Sequence, residues 1–319
     1  MSVVLLTGAA GFIGSHLAER LLTRGHRVVG VDDFDPFYPR PVKERNLTAA
    51  SADPRFTLEE ADLAHPGVAT DLLERHRPTS IIHLAARAGV RPSVENPAAY
   101  VEANVLATAN LLAACRSHPP AHFVFGSSSS VYGESATVPF REDARTDSPA
   151  SPYAATKKAG EMLCHTYHHL LGMPVTCLRF FTVYGPRQRP DLAIHRFVGL
   201  IQAGKPIPVF GDGSSSRDYT YVEDIIQGVA AALDCPDGYQ IYNLGSRHPV
   251  PLLEMIASIE RALDRRAEIR WEPCQAGDVT TTFADISRAE SRLGYAPRMP
   301  FDEGIGRFVE WWRSVNPQA

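Results

Sequence analysis

The chain has 319 residues, a formal net charge of −4 and 44% hydrophobic residues, values typical of a globular protein with a large core. The slightly acidic charge disfavours nucleic acid as a partner, and no apolar run has the length of a membrane span. The first residues enter a strand pattern without a basic segment or a cleavage site, which favours a cytoplasmic protein. The five scattered cysteines form no C-x-x-C pair and are expected to be reduced thiols.

Apolar runs typical of strands alternate with stretches of helical spacing over the first part of the chain. Strands are predicted at 3–7, 27–32, 55–63, 79–86, 122–130 and 175–182, and helices at 12–25, 67–76, 100–117 and 153–171. This alternation predicts an α/β fold with a Rossmann-type, doubly wound parallel sheet that helices cover on both faces.

The composition changes after Pro186, where prolines and glycines become frequent and the predicted elements become shorter. We assign residues 1–183 to a first domain and 184–319 mainly to a smaller C-terminal α/β lobe that binds the substrate. The strand-like run YQIYNLG favours a return of 221–247 to the first sheet.

The segment TGAAGFIGSHL places Gly8, Gly11 and Gly14 between a predicted strand and a predicted helix. Glycines at this spacing let the backbone approach a pyrophosphate, which then lies at the positive end of the helix. Asp32 ends the next strand, where a carboxylate accepts hydrogen bonds from both ribose hydroxyls and repels a 2′-phosphate. The domain formed by 1–183 is therefore predicted to bind NAD rather than NADP.

Two other acidic residues follow strands of this domain. Asp33 is the less favoured ribose ligand, because the strand is expected to end at Asp32. Asp62 follows the third strand, where it either lies near the adenine or caps the next helix.

A tyrosine and a lysine four residues apart, Tyr153 and Lys157, open the predicted helix 153–171. This spacing places both on one helical face, and a lysine ammonium beside a phenol is expected to lower the phenol pKa from about 10 towards neutrality. The pair is suited to removing a proton from an alcohol. Lys158 points elsewhere. The serine run within 125–134 follows the end of a strand, which is where ligands bind in open α/β sheets.

Together, TGAAGFIG, Asp32, HLAA at 83–86, SSSSVYG and Y-x-x-x-K resemble the extended short-chain dehydrogenase/reductase family, in particular its nucleotide-sugar epimerases and dehydratases. The resemblance extends over essentially the whole chain. It implies NAD held tightly as a prosthetic group, a UDP-sugar substrate and a homodimer formed through 100–117 and 153–171.

The resemblance also assigns roles to single residues. It makes Ser128 the catalytic hydroxyl, beside Tyr153 and Lys157. It implies NAD contacts from strand ends and helix starts of the first domain: Gly8, Gly11, Phe12, Ile13, Gly14, Asp32, Asp62, Leu63, Leu84, Ala85, Ala86, Asn104, Tyr153 and Lys157.

The UDP-binding stretch that the resemblance implies is 209–225, in which Phe210 lies beside the uracil and Arg217 meets the phosphates. Arg189 is the next candidate for the diphosphate. Weaker candidates are three further arginines: Arg91, Arg187 and Arg196. The run QAGD at 275–278 lacks an arginine that many relatives have there, which leaves the second phosphate contact open.

The serine run and Thr182 bear on the reaction. Related dehydratases carry an acidic pair where this chain has Ser129 and Ser130, so dehydration is disfavoured. Related hexose epimerases commonly have Asn at the position of Thr182, whereas RFFTVYGP resembles the UDP-glucuronate 4-epimerases. A uronate carboxylate favours hydrogen-bond donors in a dehydrated pocket, and Ser129, Ser130 and Thr182 would supply three hydroxyls.

The sequence therefore predicts NAD-dependent epimerisation of UDP-glucuronate to UDP-galacturonate at carbon 4, through a 4-keto intermediate with hydride return to the opposite face. Three alternatives stay open: UDP-glucose/galactose epimerisation, decarboxylation of the same uronate, and a non-catalytic NAD-binding sensor. For Thr182, the alternative is a strand residue whose hydroxyl is already satisfied. No metal site is expected, because no third ligand is predicted on the helix face of His165 and His169.

Overall fold

A computed structural model provides the structure of the chain and describes residues 2–134, 137–273 and 280–318. The strands in these ranges are β1 (Val3–Thr7), β2 (Arg27–Asp32), β3 (Phe56–Glu60), β4 (Ser80–His83), β5 (His122–Ser128), β6 (Val175–Phe180), β7 (Thr182–Tyr184), β8 (Ile207–Phe210), β9 (Ser216–Tyr221), β10 (Tyr239–Leu244), β11 (Pro249–Pro251) and β12 (Ile269–Glu272). The helices are α1 (Phe12–Thr23), α2 (Arg40–Asn46), α3 (Thr48–Ser51), α4 (Val68–His76), α5 (Val90–Glu95), α6 (Pro97–Tyr100), α7 (Ala107–Ala114), α8 (Pro152–Leu171), α9 (Ala193–Gln202), α10 (Val222–Leu233), α11 (Leu252–Leu263), α12 (Ser287–Leu293) and α13 (Phe301–Val315). A π-helical turn, Val101–Leu106, joins α6 to α7, and a 3₁₀ turn, Ser129–Tyr132, follows β5.

A central parallel sheet has the strand order β10-β6-β5-β4-β1-β2-β3. The chain runs outward from β1 to β3 and then returns to form β4 on the other side of β1. This reversal opens a crevice at the carboxyl ends of β1 and β4, where doubly wound sheets bind their ligands. The predicted α/β fold class is confirmed.

Both faces of the central sheet are covered by apolar side chains, and β1 illustrates why. Val4 and Leu6 are fully buried in the core that includes Leu17 of α1, whereas Leu5 is fully buried in the core on the opposite face, with Ile81 of β4. Successive side chains of a strand point to opposite faces, so a strand covered on both sides is a continuous apolar run.

Two small sheets lie beyond the central sheet. One has the order β11-β9-β7, with β9 antiparallel to β11 and parallel to β7, and the other pairs β12 with β8 in parallel. Strand β7 begins at Thr182, two residues after the end of β6. Thr182 therefore lies where the chain leaves the large sheet for the smaller one.

In the ranges that the structure describes, no helix combines the length and the apolar character needed to span a bilayer. The same residues contain no group of three His, Cys, Asp or Glu side chains arranged to hold a metal ion. Cys115, Cys164 and Cys177 are buried free thiols and Cys235 is an exposed one. Cys274 lies outside the described residues.

Candidate functional site

The turn between β1 and α1 requires glycine at two positions. Gly8 has a φ of +69°, and a Cβ there would lie 2.8 Å from the amide nitrogen of Ala85. A Cβ on Gly14 would collide with the carbonyl oxygen of Gly8, because α1 packs directly against the turn. The backbone thus leaves space for a phosphate at the N-terminus of α1.

A cavity of about 350 Å³ opens at the carboxyl ends of the central strands. The residues predicted from the sequence that line it are Gly8, Gly11, Phe12, Ile13, Gly14, Asp32, Asp62, Leu63, Leu84, Ala85, Ala86, Ser128, Tyr153, Lys157, Thr182 and Arg189. The predicted residues outside this lining are Asn104, Ser129, Ser130, Phe210 and Arg217. The fold therefore gathers most of the predicted cofactor and catalytic positions in one cavity. Phe210 and Arg217, the predicted uracil and phosphate contacts, lie outside its lining, whereas Arg189, the next candidate for the diphosphate, lies within it.

Asp32 is the last residue of β2, as the sequence indicated. Its carboxylate accepts hydrogen bonds from the backbone N–H groups of Ala10, at 3.0 Å, and Phe34, at 2.9 Å. The ammonium of Lys43 lies 3.2 Å from the same carboxylate. These donors stabilise a charge that is almost completely buried in the wall of the cavity.

The two other acidic residues near this end of the cavity also make local hydrogen bonds. The Asp33 carboxylate accepts from the N–H of Asp35 at 2.9 Å, and burial raises the pKa of Asp33. The Asp62 carboxylate accepts from the N–H of Ala64 at 2.8 Å while it lines the cavity. The interpretation of Asp62 as a helix cap is wrong, because the N-cap residue of α4 is Gly67 and no side chain caps that helix. A place near the adenine stays a prediction for Asp62.

The start of α8 holds Tyr153 in place. Ser151 caps the helix by accepting a hydrogen bond from the N–H of Ala154 at 3.2 Å. The N–H of Tyr153 donates to the hydroxyl of Ser93 at 3.1 Å, and the ring of Tyr100 meets the Tyr153 ring edge-on with centroids 6.2 Å apart. The tyrosine is thus positioned by the cap of its own helix and by two side chains outside it.

Lys157 lies one helical turn after Tyr153, and its ammonium donates to the carbonyl oxygen of Gly126 at 2.7 Å. Burial lowers the pKa of Lys157 to about 8. Burial also raises the pKa of the Tyr153 phenol, and a hydrogen bond with Ser128 and the positive charge of Arg189 act in the opposite direction. The expectation that Lys157 lowers the pKa of Tyr153 is therefore wrong for the protein chain by itself, because desolvation dominates and the ammonium is directed at Gly126.

The lowered pKa of Lys157 gives a testable dependence of stability on pH. Between about pH 8 and the ordinary lysine value of about 10.4, the unfolded chain binds a proton that the folded chain does not. The free energy of unfolding of the wild type should therefore rise relative to Lys157→Met by up to about 1.4 kcal/mol per pH unit in this window. Urea unfolding of both proteins at about pH 7, 8 and 9 measures the difference. Parallel pH profiles would contradict a depressed Lys157 pKa.

The serine run lies at the carboxyl end of β5. Ser128 is its last strand residue and pairs with Phe180 of β6. The Ser128 hydroxyl oxygen accepts hydrogen bonds from the N–H of Ser130, at 3.2 Å, and from the Ser130 hydroxyl, at 3.0 Å. Ser129 and Ser130 begin the 3₁₀ turn and are half-buried. Of the four serines of the run, 127–130, all of them described by the structure, Ser127 and Ser128 line the cavity, and Ser129 and Ser130 do not.

Thr182 is half-buried and lines the cavity at the start of β7. Its neighbour in the small sheet is Tyr219 of β9. The Thr182 hydroxyl has no hydrogen-bond partner within residues 2–134, 137–273 and 280–318. A contact between this hydroxyl and a substrate stays a prediction.

Arg189 brings a positive charge to the cavity. Its guanidinium donates to the Asp191 carboxylate at 2.7 Å and to the carbonyl oxygen of Ala88 at 3.1 Å. It also lies 5.1 Å from the centroid of the Phe37 ring. The charge is close enough to Tyr153 to oppose the effect of burial on its pKa.

The other predicted UDP contacts lie on the smaller sheets. The Arg217 guanidinium donates to two backbone carbonyl oxygens, at 2.9 and 3.2 Å. The ring of Phe210 has the Arg91 guanidinium 4.6 Å from its centroid. The run QAGD at 275–278, from which the sequence left a phosphate contact open, lies outside the described residues.

Asn104 lies in the π-helical turn, a feature that is frequent at functional sites. Its side chain accepts from the N–H of Arg87 at 2.8 Å and donates to the Arg87 carbonyl oxygen and to the Thr156 hydroxyl, both at 3.0 Å. The amide therefore joins the loop after β4 to α8. A direct contact between Asn104 and NAD stays a prediction.

Comparison with known proteins assigns the family. Residues 4–245 match the model of the NAD dependent epimerase/dehydratase family. The chain belongs to this family. A UDP-glucuronate 4-epimerase of Thermodesulfobacterium geofontis is 42% identical over 313 residues, which cover 98% of this chain and 96% of that relative. A probable UDP-glucuronate 4-epimerase of Rhizobium meliloti is 39% identical over 327 residues, with 97% and 96% coverage.

A solved structure of the NAD dependent epimerase/dehydratase fold is also closely similar. The crystal structure of UDP-glucuronic acid 4-epimerase from Bacillus cereus in complex with UDP-glucuronic acid and NAD has a TM-score of 0.93 to this chain. The sequences are 36% identical, and the match covers 98% of this chain and 99% of that one. The glycine turn and the buried Asp32 carboxylate fit the pyrophosphate and the ribose that an NAD dependent family must bind.

Several residues that line the cavity were not predicted from the sequence. Phe37, Tyr38 and Arg87 come from loops, and Lys43 comes from the short helix α2. Arg87 donates to the Asp35 carboxylate at 2.6 Å, which links the loop after β4 to the loop after β2. The run DFDPFYPR could have indicated Phe37 and Tyr38 from the sequence. Aromatic and charged residues directly after a strand that is predicted to bind a ribose are typical of a loop that covers the cofactor.

Proposed function

We propose that the chain is a UDP-glucuronate 4-epimerase, which interconverts UDP-glucuronate and UDP-galacturonate. The observation that supports this most directly is that Thr182 lines the cavity and that its hydroxyl makes no hydrogen bond to the described residues. Relatives named for this activity, at 36–42% identity over nearly the whole chain, support the same substrate.

In the proposed reaction, bound NAD supplies the acceptor, and later the donor, of a hydride at carbon 4 of the sugar. Tyr153 removes the proton from the 4-hydroxyl, and Ser128 shares a hydrogen bond with the phenol and the sugar oxygen. The 4-keto sugar then turns about its diphosphate. After hydride returns to the opposite face of carbon 4, Tyr153 gives the proton back, so the protein ends unchanged.

The sugar carboxylate is the group that distinguishes a uronate from a hexose. We propose that Ser129, Ser130 and Thr182 donate hydrogen bonds to it from the ends of β5 and β7. A 4-keto uronate is a β-keto acid, which loses carbon dioxide most readily when the carboxylate bond stands perpendicular to the ketone plane. Several hydroxyl contacts restrain this rotation and can be remade after the sugar turns.

The UDP group of the substrate is proposed to extend from the cavity towards β8 and β9. Phe210 would lie beside the uracil, and Arg217 and Arg189 would meet the diphosphate. In this arrangement 1–183, with 221–247, forms the NAD-binding domain, and 184–319 supplies most of the UDP-sugar site. Strand β10 supports the inclusion of 221–247, because it extends the central sheet beside β6.

A cytoplasmic homodimer is the assembly we propose. Large apolar side chains are exposed on the segments that would form its interface: Val101 at 51%, Leu106 at 45%, Met162 at 62% and Leu170 at 64% of their surface. Pairing these helices across a two-fold axis would remove that apolar surface from water.

Proton NMR of purified protein with UDP-glucuronate in deuterated water tests the proposed function. Epimerisation by internal hydride return produces UDP-galacturonate without deuterium at carbon 4. A UDP-pentose product would show decarboxylation instead. Turnover of UDP-glucose without turnover of UDP-glucuronate would overturn the uronate assignment, and the absence of any turnover would favour a non-catalytic sensor.

Thr182→Val tests the carboxylate contact. The change removes a hydroxyl without altering the side-chain shape, and a lost hydrogen bond to a charged group costs about 1.5–3 kcal/mol. We expect kcat/KM for UDP-glucuronate to fall by roughly 10-fold to 100-fold. Thr182→Ser is the matched control, which keeps the hydroxyl and should stay within about threefold of the wild type. An equal loss in both variants would assign the effect to packing.

A further inference from the structure

The wall of the cavity beside the predicted ribose site contains a buried cation as well as a buried anion. Lys43 lies on α2 and its ammonium is 3.2 Å from the Asp32 carboxylate, with 7% and 5% of the two side chains exposed. Both residues line the cavity. The rings of Tyr38 and Phe34 have their centroids 5.2 and 6.0 Å from the Lys43 ammonium.

A second cation on the same helix is engaged elsewhere. The Arg40 guanidinium donates to the Glu60 carboxylate at 2.8 and 2.7 Å and to Glu44 at 2.7 Å. Its side chain is about half exposed and does not line the cavity. Lys43 is thus the cation of α2 that lies in the cavity wall, and Asp32 is its acidic partner.

Asp32 and Lys43 have opposite effects on the binding of the 2′-phosphate that distinguishes NADP from NAD. The Asp32 carboxylate accepts hydrogen bonds from ribose hydroxyls and repels a 2′-phosphate, whereas the Lys43 ammonium attracts a phosphate. While the two charges neutralise each other, the site can accept the uncharged ribose of NAD. If the carboxylate charge is removed, the unpaired buried ammonium requires an anion, because an isolated charge in such a site is strongly unfavourable.

We propose that Lys43 is a specificity-determining residue, whose ammonium can bind the 2′-phosphate of NADP. The Asp32 carboxylate prevents this binding as long as it is present and charged. The inference rests on the proposed NAD site but not on the identity of the sugar. Lys43 supports NAD binding by holding the Asp32 carboxylate in the cavity wall. Without that carboxylate, Lys43 binds the 2′-phosphate of NADP.

Competitive cofactor exchange tests this proposal. Full-length wild type, Asp32→Asn, Lys43→Met and the double variant are equilibrated with equimolar NAD and NADP and desalted, and the bound dinucleotides are released and quantified by chromatography. Asp32→Asn should raise the NADP-to-NAD ratio at least about tenfold, and adding Lys43→Met should reverse most of this gain, as expected for one charge-assisted hydrogen bond. Arg40→Gln, added to Asp32→Asn, is the matched control and should leave the raised ratio unchanged.

The proposal would be overturned if Asp32→Asn and the double variant bound NADP and NAD in the same ratio. It would also be overturned if adding Arg40→Gln to Asp32→Asn lowered this ratio as much as adding Lys43→Met does. Thermal melts establish that each variant is folded. For a variant that retains no dinucleotide, calorimetric titration with 2′-AMP and 5′-AMP measures the same preference. The readout is cofactor identity, so a failure here is distinguishable from a failure of the proposed sugar reaction.

Discussion

Replacing Tyr153 by Phe is expected to lower kcat for the UDP-sugar by about 10²-fold to 10⁴-fold, the usual contribution of a general acid–base residue. The change removes one oxygen, at the atom that would take the proton from the 4-hydroxyl. The backbone of Tyr153 is held by Ser93 and the ring lies against Tyr100, so the ring should keep its place. KM should therefore change much less than kcat.

Steady-state kinetics of Tyr153→Phe measure this loss, and bound NAD is quantified in the same preparation. Tyr167→Phe is the matched control, because it makes the same chemical change on α8, in a side chain that packs partly against the core. Retention of more than about a tenth of the wild-type kcat by Tyr153→Phe would assign proton transfer to another group.

The second large effect is expected on stability, at the buried ion pair between Arg179 of β6 and Glu161 of α8. The guanidinium donates to the carboxylate at 2.8 and 2.9 Å, and 2% and 1% of the two side chains are exposed. The Ser127 hydroxyl donates to the same carboxylate at 2.7 Å. Burial acts to raise the pKa of Glu161, but these donors and the charge of Arg179 bring it below its ordinary value. The pair joins α8 to the strands beneath it.

Arg179→Met leaves the Glu161 carboxylate buried without its main partner, and we expect it to lower the free energy of unfolding by about 3–5 kcal/mol. The double variant Arg179→Met/Glu161→Leu removes both charges and should be less destabilised than the single variant. Urea unfolding of the three proteins measures the difference. A double variant that loses at least as much as the single one would show that packing, and not the uncompensated charge, is responsible.

The local signals in the sequence were strong enough to predict the sheet and half of the site. A strand covered on both faces is a continuous apolar run, so β1, β2, β5 and β6 could be placed from their residues alone. The glycine turn and the Tyr153–Lys157 spacing are also local patterns, because each depends on one turn or one helix. The order of parallel strands then brings these patterns to one edge of the sheet, in the cavity that the structure describes.

Residues on short helices and loops could not be placed in this way. Lys43 on α2 and Arg87 on the loop after β4 reach the cavity because segments far apart in the chain fold together, and no periodicity records such an approach. The same limit applies to Ser129 and Ser130, whose 3₁₀ turn takes them out of the cavity lining. Their proposed contact with the substrate depends on where the sugar lies, which a strand pattern does not specify.

The sequence by itself determined the fold class, the glycine turn between β1 and α1 and the spacing of Tyr153 and Lys157 on one helix, because these depend on the order and spacing of residue types. The tertiary structure decided the electrostatics. Only burial explains why the pKa of Tyr153 rises while that of Lys157 falls to about 8, and only the fold pairs Lys43 with Asp32. The physical reason is that desolvation and charge pairing depend on distances between residues far apart in the chain, which composition and periodicity do not contain.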